Sequence, residues 1–402
     1  MRDTTALAVG SAVSGVLAYV VFALTTRELG PEAAAPVSVL WSYWSFAGAA
    51  FAFPLQHWIA KSVTTHGENV VRSALPRLSL ALVATSLLLG LLAWLGRDQL
   101  FQRDDLWFPG LVVLVTLGSA VIGVARGGLS ARRRFVSVGW SLAAENGVRC
   151  VAVGALILAD VSSPVGYGLC LVLGHLVAFV WPSSLRFGRQ RSVGETSAPF
   201  GFLTGAALAQ LLGQVVLTGG PVVLALAGGS PTEVTALFAA LALFRAPYIL
   251  ALGLVSQLTG IVARLIIEGK DRALRRIRNM IVGTAAVGVV LAGAVGALLG
   301  PALLKLIFGD EVSVESGQAA VVAVACTIAV ANLVLTVTVL AQDRPSAVVR
   351  SWLIAVVAAG LGFVALTALP PSEQTVWSFL IAETVGFAAL LFAQQRGARS
   401  TG

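Results

Sequence analysis

Apolar runs of about 20 residues recur along this chain with only short polar connections between them. The first reads ALAVGSAVSGVLAYVVFALT and a late one VAVACTIAVANLVLTVTVLA. At about 1.5 Å per residue, each run matches a hydrocarbon core of roughly 30 Å. Inside that core the backbone must satisfy its own hydrogen bonds, which leaves helices or a closed barrel. Barrel strands would alternate in polarity over about 10 residues, and these runs do not alternate. The expected fold class is therefore all-α and integral to the membrane. Composition agrees: 57% of residues are hydrophobic and 11% charged, against roughly 45–50% and 25% in soluble domains.

The runs predict twelve spans: 5–26, 34–60, 77–96, 107–125, 136–159, 164–182, 199–228, 234–262, 279–305, 317–341, 347–369 and 375–394. Met1 and Arg2 before an apolar stretch resemble a signal peptide. The stretch is too long for one and more spans follow, so it reads as an uncleaved first helix. With the N-terminus inside, one face of the membrane carries Arg27, Arg97, Arg103 and Lys305. Arg149 and Arg245 fall within spans, and all the other Lys and Arg of the 27 lie on the opposite face. Such asymmetry marks the basic face as cytoplasmic and puts both termini there. The net charge of +8 thus sets topology, and no nucleic-acid partner is expected. The cluster at 126–134 and the basic run at 264–278 read as topology signals that touch anionic headgroups.

Six spans precede the basic loop 183–198 and six follow it, dividing the chain into bundles at 1–190 and 191–402. Both halves enter the membrane in the same direction, as a parallel repeat would. One echo supports a repeat. RELGPEAAA opens the second span, which closes on Trp58 and Lys61; Pro231 opens the eighth, which carries Gln257 and closes on Arg264. Trp58, Trp94, Trp107, Trp140, Trp181 and Trp377 lie near span ends and read as an interfacial belt. Gly10, Ser14, Gly283 and Gly288 are small residues suited to close helix approach.

Charges within spans are costly, at least about 2.5–3.5 kcal/mol each at a helix centre, and so mark candidate sites. Glu145 and Arg149 are four apart and share a helix face; they either line an aqueous cavity or neutralise each other and lock the helix. Arg245 has no acid in its own span, so its partner is Glu145, Glu383 or an anionic ligand. Glu383 reads as protonated, paired or an ion-coupling group. Arg27 and Glu28 close the first span, either as interfacial anchors or as an outer contact. His57 and His175 read as packed side chains rather than proton relays. Cys150, Cys170 and Cys326 lie in apolar segments without CxxC spacing, so no disulfide or metal site is expected. No nucleotide, zinc-protease or hydrolase motif is present. The reading is of a protein that is not an enzyme, with no catalytic residues and no cofactor.

Four stretches carry a family resemblance: RELGPEAAA after the first span; ARGGLSARRRFVSVGWSLAAENGVR at 125–149; LFAALALFRAPYILALGLVSQLTGIVARL; and GPALLKLIFGDEVSVESGQAAVV at 300–322. Together they resemble the polysaccharide flippases of the MOP superfamily, the multidrug, oligosaccharidyl-lipid and polysaccharide exporters. That resemblance implies two six-helix bundles in a V that expose a cationic cavity alternately to each face. It implies a polyprenyl-diphosphate-linked oligosaccharide as substrate, moved to the outer leaflet of the inner (plasma) membrane. Arg149 and Arg245, with Arg27 outside them, would bind the diphosphate. Glu145, Glu383 and Glu28 would couple or pair charge. The implied partners are the glycolipid, membrane lipids, and glycosyltransferases or a polymerase of the same pathway. The alternatives are a multidrug or metabolite cation antiporter on the same fold and a membrane-embedded glycan-processing enzyme.

Overall fold

Helix dominates because it satisfies its own backbone in hydrocarbon and these apolar runs lack the alternation of barrel strands. The computed structural model describes residues 2–188, 199–252, 265, 268, 271–342 and 344–399, with no strand among them. The calls on Gln257 and Arg264, on the far end of the eighth span and on the linker from 189 to 198 lie outside the described residues. The chain packs as two compact units, Met1–Leu211 and Leu212–Gly402. Eight described helices are long and apolar enough to span a membrane, or nine when one bent pair is counted as a span. Two shorter apolar segments, Pro164–Val180 and Pro231–Phe244, add to these.

In the first unit α1 (Arg2–Ala47) breaks at Gly30, whose φ of 72° suits glycine. A π-helical turn, Gly48–Ala52, then leads into α2 (Phe53–His66). α3 (Glu68–Leu95), a short α4 (Arg97–Leu100), α5 (Trp107–Ala131) and α6 (Phe135–Leu158) follow. α7 (Pro164–Leu173) tightens into a 3-10 stretch, Gly174–Val180. The sixth span is thus not uniform, and α5 continues to Ala131, six residues past its predicted end at 125.

The second unit begins within α8 (Pro199–Thr218), most of which belongs to the first, and continues with α9 (Gly220–Leu226), α10 (Pro231–Phe244) and α11 (Ala246–Leu252). The expected seventh span, 199–228, is bent by 67° between α8 and α9. α12 (Asp271–Phe308), α13 (Ser316–Ala341), α14 (Pro345–Ala365) and α15 (Pro371–Arg399) complete it. α10 starts on a full capping box: the Ser230 side chain accepts from the Glu233 amide while Glu233 reaches back to the Ser230 amide.

The echo of the opening motif has a structural counterpart. Ala34–Ser42 are buried without interruption and Tyr43–Phe46 half-buried; 200 residues later Val234–Ala242 are buried and Leu243–Ala246 half-buried. A positive-φ glycine precedes each run, Gly30 at 72° and Gly228 at 84°. After each run the α-helix is interrupted, by the π turn in one unit and at Arg245 in the other.

Small residues work as expected in part. An added Cβ on Gly10 would strike the Gly139 backbone, and one on Gly288 would lie 3.1 Å from Thr327; Gly283 faces open space. Ser14 accepts from Asn146 at 2.9 Å, tying α1 to α6. Trp94, Trp107, Trp140 and Trp377 are exposed, as a belt requires, but Trp58 is buried with Ile59, Val71 and Leu78. His57, expected to pack, is exposed.

Candidate functional site

Each unit carries its own buried polar centre. In the first, Glu145 on α6 is only 4% exposed and Arg149, one turn on, is 0% exposed. Arg149 Nη2 donates to Glu145 Oε1 at 2.7 Å, so the predicted i,i+4 pair forms. The pair is not alone. Arg126 Nη2 donates to Glu145 Oε2 at 2.6 Å, and Arg126 Nε donates to Ser141 Oγ at 3.0 Å. Arg126 was expected in a cytoplasmic loop; it is instead buried, because α5 runs on past it. One carboxylate therefore holds two guanidinium groups, one on each oxygen. Its second cation was findable in principle: Arg126 sits among Gly, Ala and Val that continue the helix, unlike the consecutive Arg132–Arg134.

The remaining atoms of Arg149 are also engaged. Nη1 donates to Asn146 Oδ1 at 2.7 Å and Nε to the Leu171 carbonyl at 3.1 Å. Its guanidinium lies over Trp44, 4.4 Å from the ring centroid, a cation–π contact. Gly174 makes room for it: a Cβ there would come within 2.5 Å of Arg149 Nε. His175 follows, with Nε2 3.3 Å from Ser119 Oγ and 3.8 Å from Glu145 Oε1. It is buried as expected, yet it borders the charged centre.

On the face assigned to the cytoplasm, Arg132 also does more than set topology. It donates to the Ser183 and Arg186 carbonyls at 2.6 and 2.7 Å and to Glu68 at 3.1 Å. Those carbonyls belong to a separate 3-10 turn, Pro182–Leu185, and the residue that caps it, where orphan acceptors need donors. Glu68 in turn accepts from the Gly188 amide.

In the second unit Arg245 is half-buried at the C-terminal end of α10, and its Nε is buried without a hydrogen-bond partner. Glu383 on α15 is 0% exposed. Asn332 of α13 donates to Glu383 Oε2 at 2.7 Å and to its carbonyl at 2.9 Å. Glu383 Oε1 and Asn332 Oδ1 are left unpartnered. Tyr248 and Cys326 lie within electrostatic range of both Arg245 and Glu383. Arg27, exposed, and Glu28, half-buried, close the first helical segment beside Gly30. The sequence-predicted charges thus divide into a paired centre at Glu145 and Arg149, Arg245 and Glu383 with unpartnered buried atoms, and Arg27 and Glu28 at the end of the first helical segment. No group of three or more His, Cys, Asp or Glu able to hold a metal occurs among the described residues.

The fold is similar to that of solved MATE transporters. An inward-facing multidrug resistance MATE family transporter of the MOP superfamily aligns with a TM-score of 0.66 at 15% identity, covering 100% of this chain and 96% of its own. The eukaryotic MATE transporter AtDTX14 gives 0.65 at 14% identity over 99% and 97%. A MATE in the straight conformation gives 0.63 at 16% over 100% and 96%. No protein-family profile matches the sequence, and no curated protein matches it.

Proposed function

We propose that this chain is a membrane transporter that moves a polyprenyl-diphosphate-linked oligosaccharide from the cytoplasmic to the outer leaflet by alternating access. The proposal keeps twelve spans, with both termini cytoplasmic. The observation that carries it is Arg245, a cation with a buried Nε that has no hydrogen-bond partner among the described residues. An orphaned guanidinium donor costs roughly 1–3 kcal/mol, more when charged, and a bidentate phosphate is its best complement. The first unit points the same way, since Arg126 and Arg149 share the single carboxylate of Glu145. A diphosphate and sugar head needs such a lined path, while the lipid tail can stay in the bilayer.

Arg245 is the first contact for the diphosphate in this proposal and Arg27 the outer one. Arg149 is enclosed, with all three nitrogens engaged, so it reaches substrate only when its ties to Glu145, Asn146 and Leu171 open. Purified protein in liposomes tests the reading. Translocation of a lipid-diphosphate sugar is expected with the wild type and lost with Arg245→Ala; equal rates for both would overturn it.

A second reading, a multidrug or metabolite cation antiporter, draws support from Glu383, whose buried Oε1 is an unmatched acceptor for a cation. Growth of expressing cells in toxic organic cations separates the two: protection lost with Glu383→Gln favours the antiporter.

A further inference from the structure

Gly110 on α5 is exposed, and a Cβ built there would meet no atom within 4 Å. Glycine inside a helix is less stable than alanine, so close packing within this chain does not account for it. The space beside it is a groove of about 540 Å³ between α5 and α7. Leu106, Trp107, Leu114 and Leu169 line it with Gly110, and the buried Leu111 completes its wall. No lining residue is charged. Trp107 opens α5, and Leu114 lies about 10 Å further along the helix axis. The groove therefore runs inward from the membrane interface, on the face that the charge distribution assigns to the outside.

The loop that leads into this groove holds its charges in fixed places. Leu100 and Phe101 are buried, and the Phe101 ring stacks on Phe108 of α5 at 5.2 Å. Gln102 keeps a φ of 52°, uncommon for a residue with a side chain. Arg103 Nε donates to Asp105 Oδ2 at 2.6 Å, and Asp105 Oδ1 accepts from the Trp107 amide at 3.0 Å. Arg97 donates through Nε to the Asp104 carbonyl at 3.3 Å and through Nη1 to the Trp94 carbonyl at 3.2 Å. Its guanidinium lies 5.6 Å from the centroid of the exposed Trp94 ring. A guanidinium has five N–H donors, so both arginines keep donors for a further acceptor. Asp98 and Asp104 are exposed, and Asp98 stands 3.6 Å from Arg97 Nε.

We propose that this groove and loop form a site for one zwitterionic phospholipid of the outer leaflet, with the primary-ammonium headgroup of a phosphatidylethanolamine. One hydrocarbon chain fills the groove beside Gly110, Arg97 and Arg103 take the phosphate, and Asp98 and Asp104 take the ammonium. Charge complementarity selects this occupant, because the loop presents both signs side by side. A phosphate suits the guanidinium groups through charge-assisted bonds. An ammonium brings three donors to the carboxylates, whereas a trimethylated headgroup brings none. An anionic headgroup without an amine would match the arginines and face the aspartates unpaired. Lipid tails are as apolar as a leucine-lined groove, so the chain gains little by entering it. The headgroup therefore supplies selectivity, and the groove fixes where the lipid sits. The site lies wholly within the first unit and does not depend on the glycolipid reading.

Native mass spectrometry of the full chain in detergent micelles tests the site. Phosphatidylethanolamine, phosphatidylcholine and phosphatidylglycerol with identical chains are supplied in turn. Wild type is expected to retain one phosphatidylethanolamine about tenfold more tightly than either of the others, the loss expected for a charge-assisted bond. Gly110→Leu fills the groove from a position where a Cβ is unopposed, and is expected to weaken retention about tenfold. Asp98→Asn with Asp104→Asn should abolish the preference among the three lipids. Arg97→Ala with Arg103→Ala should weaken retention of all three. These loop variants keep the proposal testable should Gly110→Leu not fold. Equal retention of the three lipids by wild type would mark an ordinary annular lipid and overturn the site. Retention and preference unchanged in any one of the variants would overturn it as well. A dimer that Gly110→Leu dissociates would identify a second copy as the occupant, which also overturns it. No arm reads glycolipid transport, so failure of the flippase reading leaves these outcomes unchanged.

Discussion

Arg126→Met tests the account of the first unit most directly. If Arg126 only marked the cytoplasmic face, its loss would change stability by no more than about 0.5 kcal/mol. The structure predicts much more. The side chain is 6% exposed, and it supplies one of two charge-assisted bonds to a carboxylate that is equally enclosed. Removing one partner from a buried ion pair costs about 3–5 kcal/mol, because it leaves charge uncompensated in a medium of low dielectric. Here Arg149 still neutralises Glu145, which favours the lower end; the freed Ser141 oxygen and Glu145 Oε2 push it back up. For a unit of this size about 2–4 °C follows each kcal/mol, so the unfolding midpoint is expected to fall by about 6–20 °C. A thiol-reactive dye reads it, since Cys170 and Cys326 are free and buried, one in each unit. The double variant with Glu145→Gln should cost less than the sum of the singles. A midpoint shift within about 0.5 kcal/mol of wild type, or strict additivity, would refute the network.

Three further outcomes are expected. Gly174→Ala places a methyl 2.5 Å from Arg149 Nε and 2.8 Å from the Glu145 carbonyl, and overpacking of this kind should cost about 1–3 kcal/mol by the same unfolding assay. Arg245→Ala should abolish liposome transport without lowering the midpoint, and should raise stability by up to the roughly 1–3 kcal/mol that an orphaned donor costs, since its Nε makes no hydrogen bond among the described residues. Glu68→Ala removes acceptors for Arg132 and the Gly188 amide at a part-exposed position; it should cost about 1 kcal/mol at most, less at high salt.

Most of the fold was legible because a bilayer imposes a coarse rule: long apolar runs must be helices. The rule says little about where a helix bends. Gly219 divides the seventh span, Gly174 begins a 3-10 stretch in the sixth, and Gly48–Ala52 form a π turn in the second. None of these changes hydropathy, so no apolar count could register them. The site divided in the same way. Glu145, Arg149, Arg245 and Glu383 stood out because charge in a span is expensive. Arg126 did not, because a boundary set at 125 turned a buried guanidinium into a loop residue. Asn332, neutral and cheap to place, gave no signal until its neighbours were known.

The repeat sharpens what differs between the units. Residues 32–46 and 232–246 share one burial pattern, and the α-helix is interrupted near the end of each, by a π turn at Gly48–Ala52 and at Arg245. What each stretch presents is different. At its end the first places Trp44 against Arg149, a cation already satisfied by Glu145, Asn146 and Leu171. The second ends in Arg245 itself, which carries an orphaned nitrogen, and the same unit holds the orphaned oxygens of Glu383 and Asn332. In the first unit each cation is tied by hydrogen bonds within the unit. A unit whose buried groups are unmatched gains free energy whenever a ligand or ion matches them. On that ground binding is expected to be sensed in the second unit, and substitutions there should alter affinity where those around Glu145 alter stability.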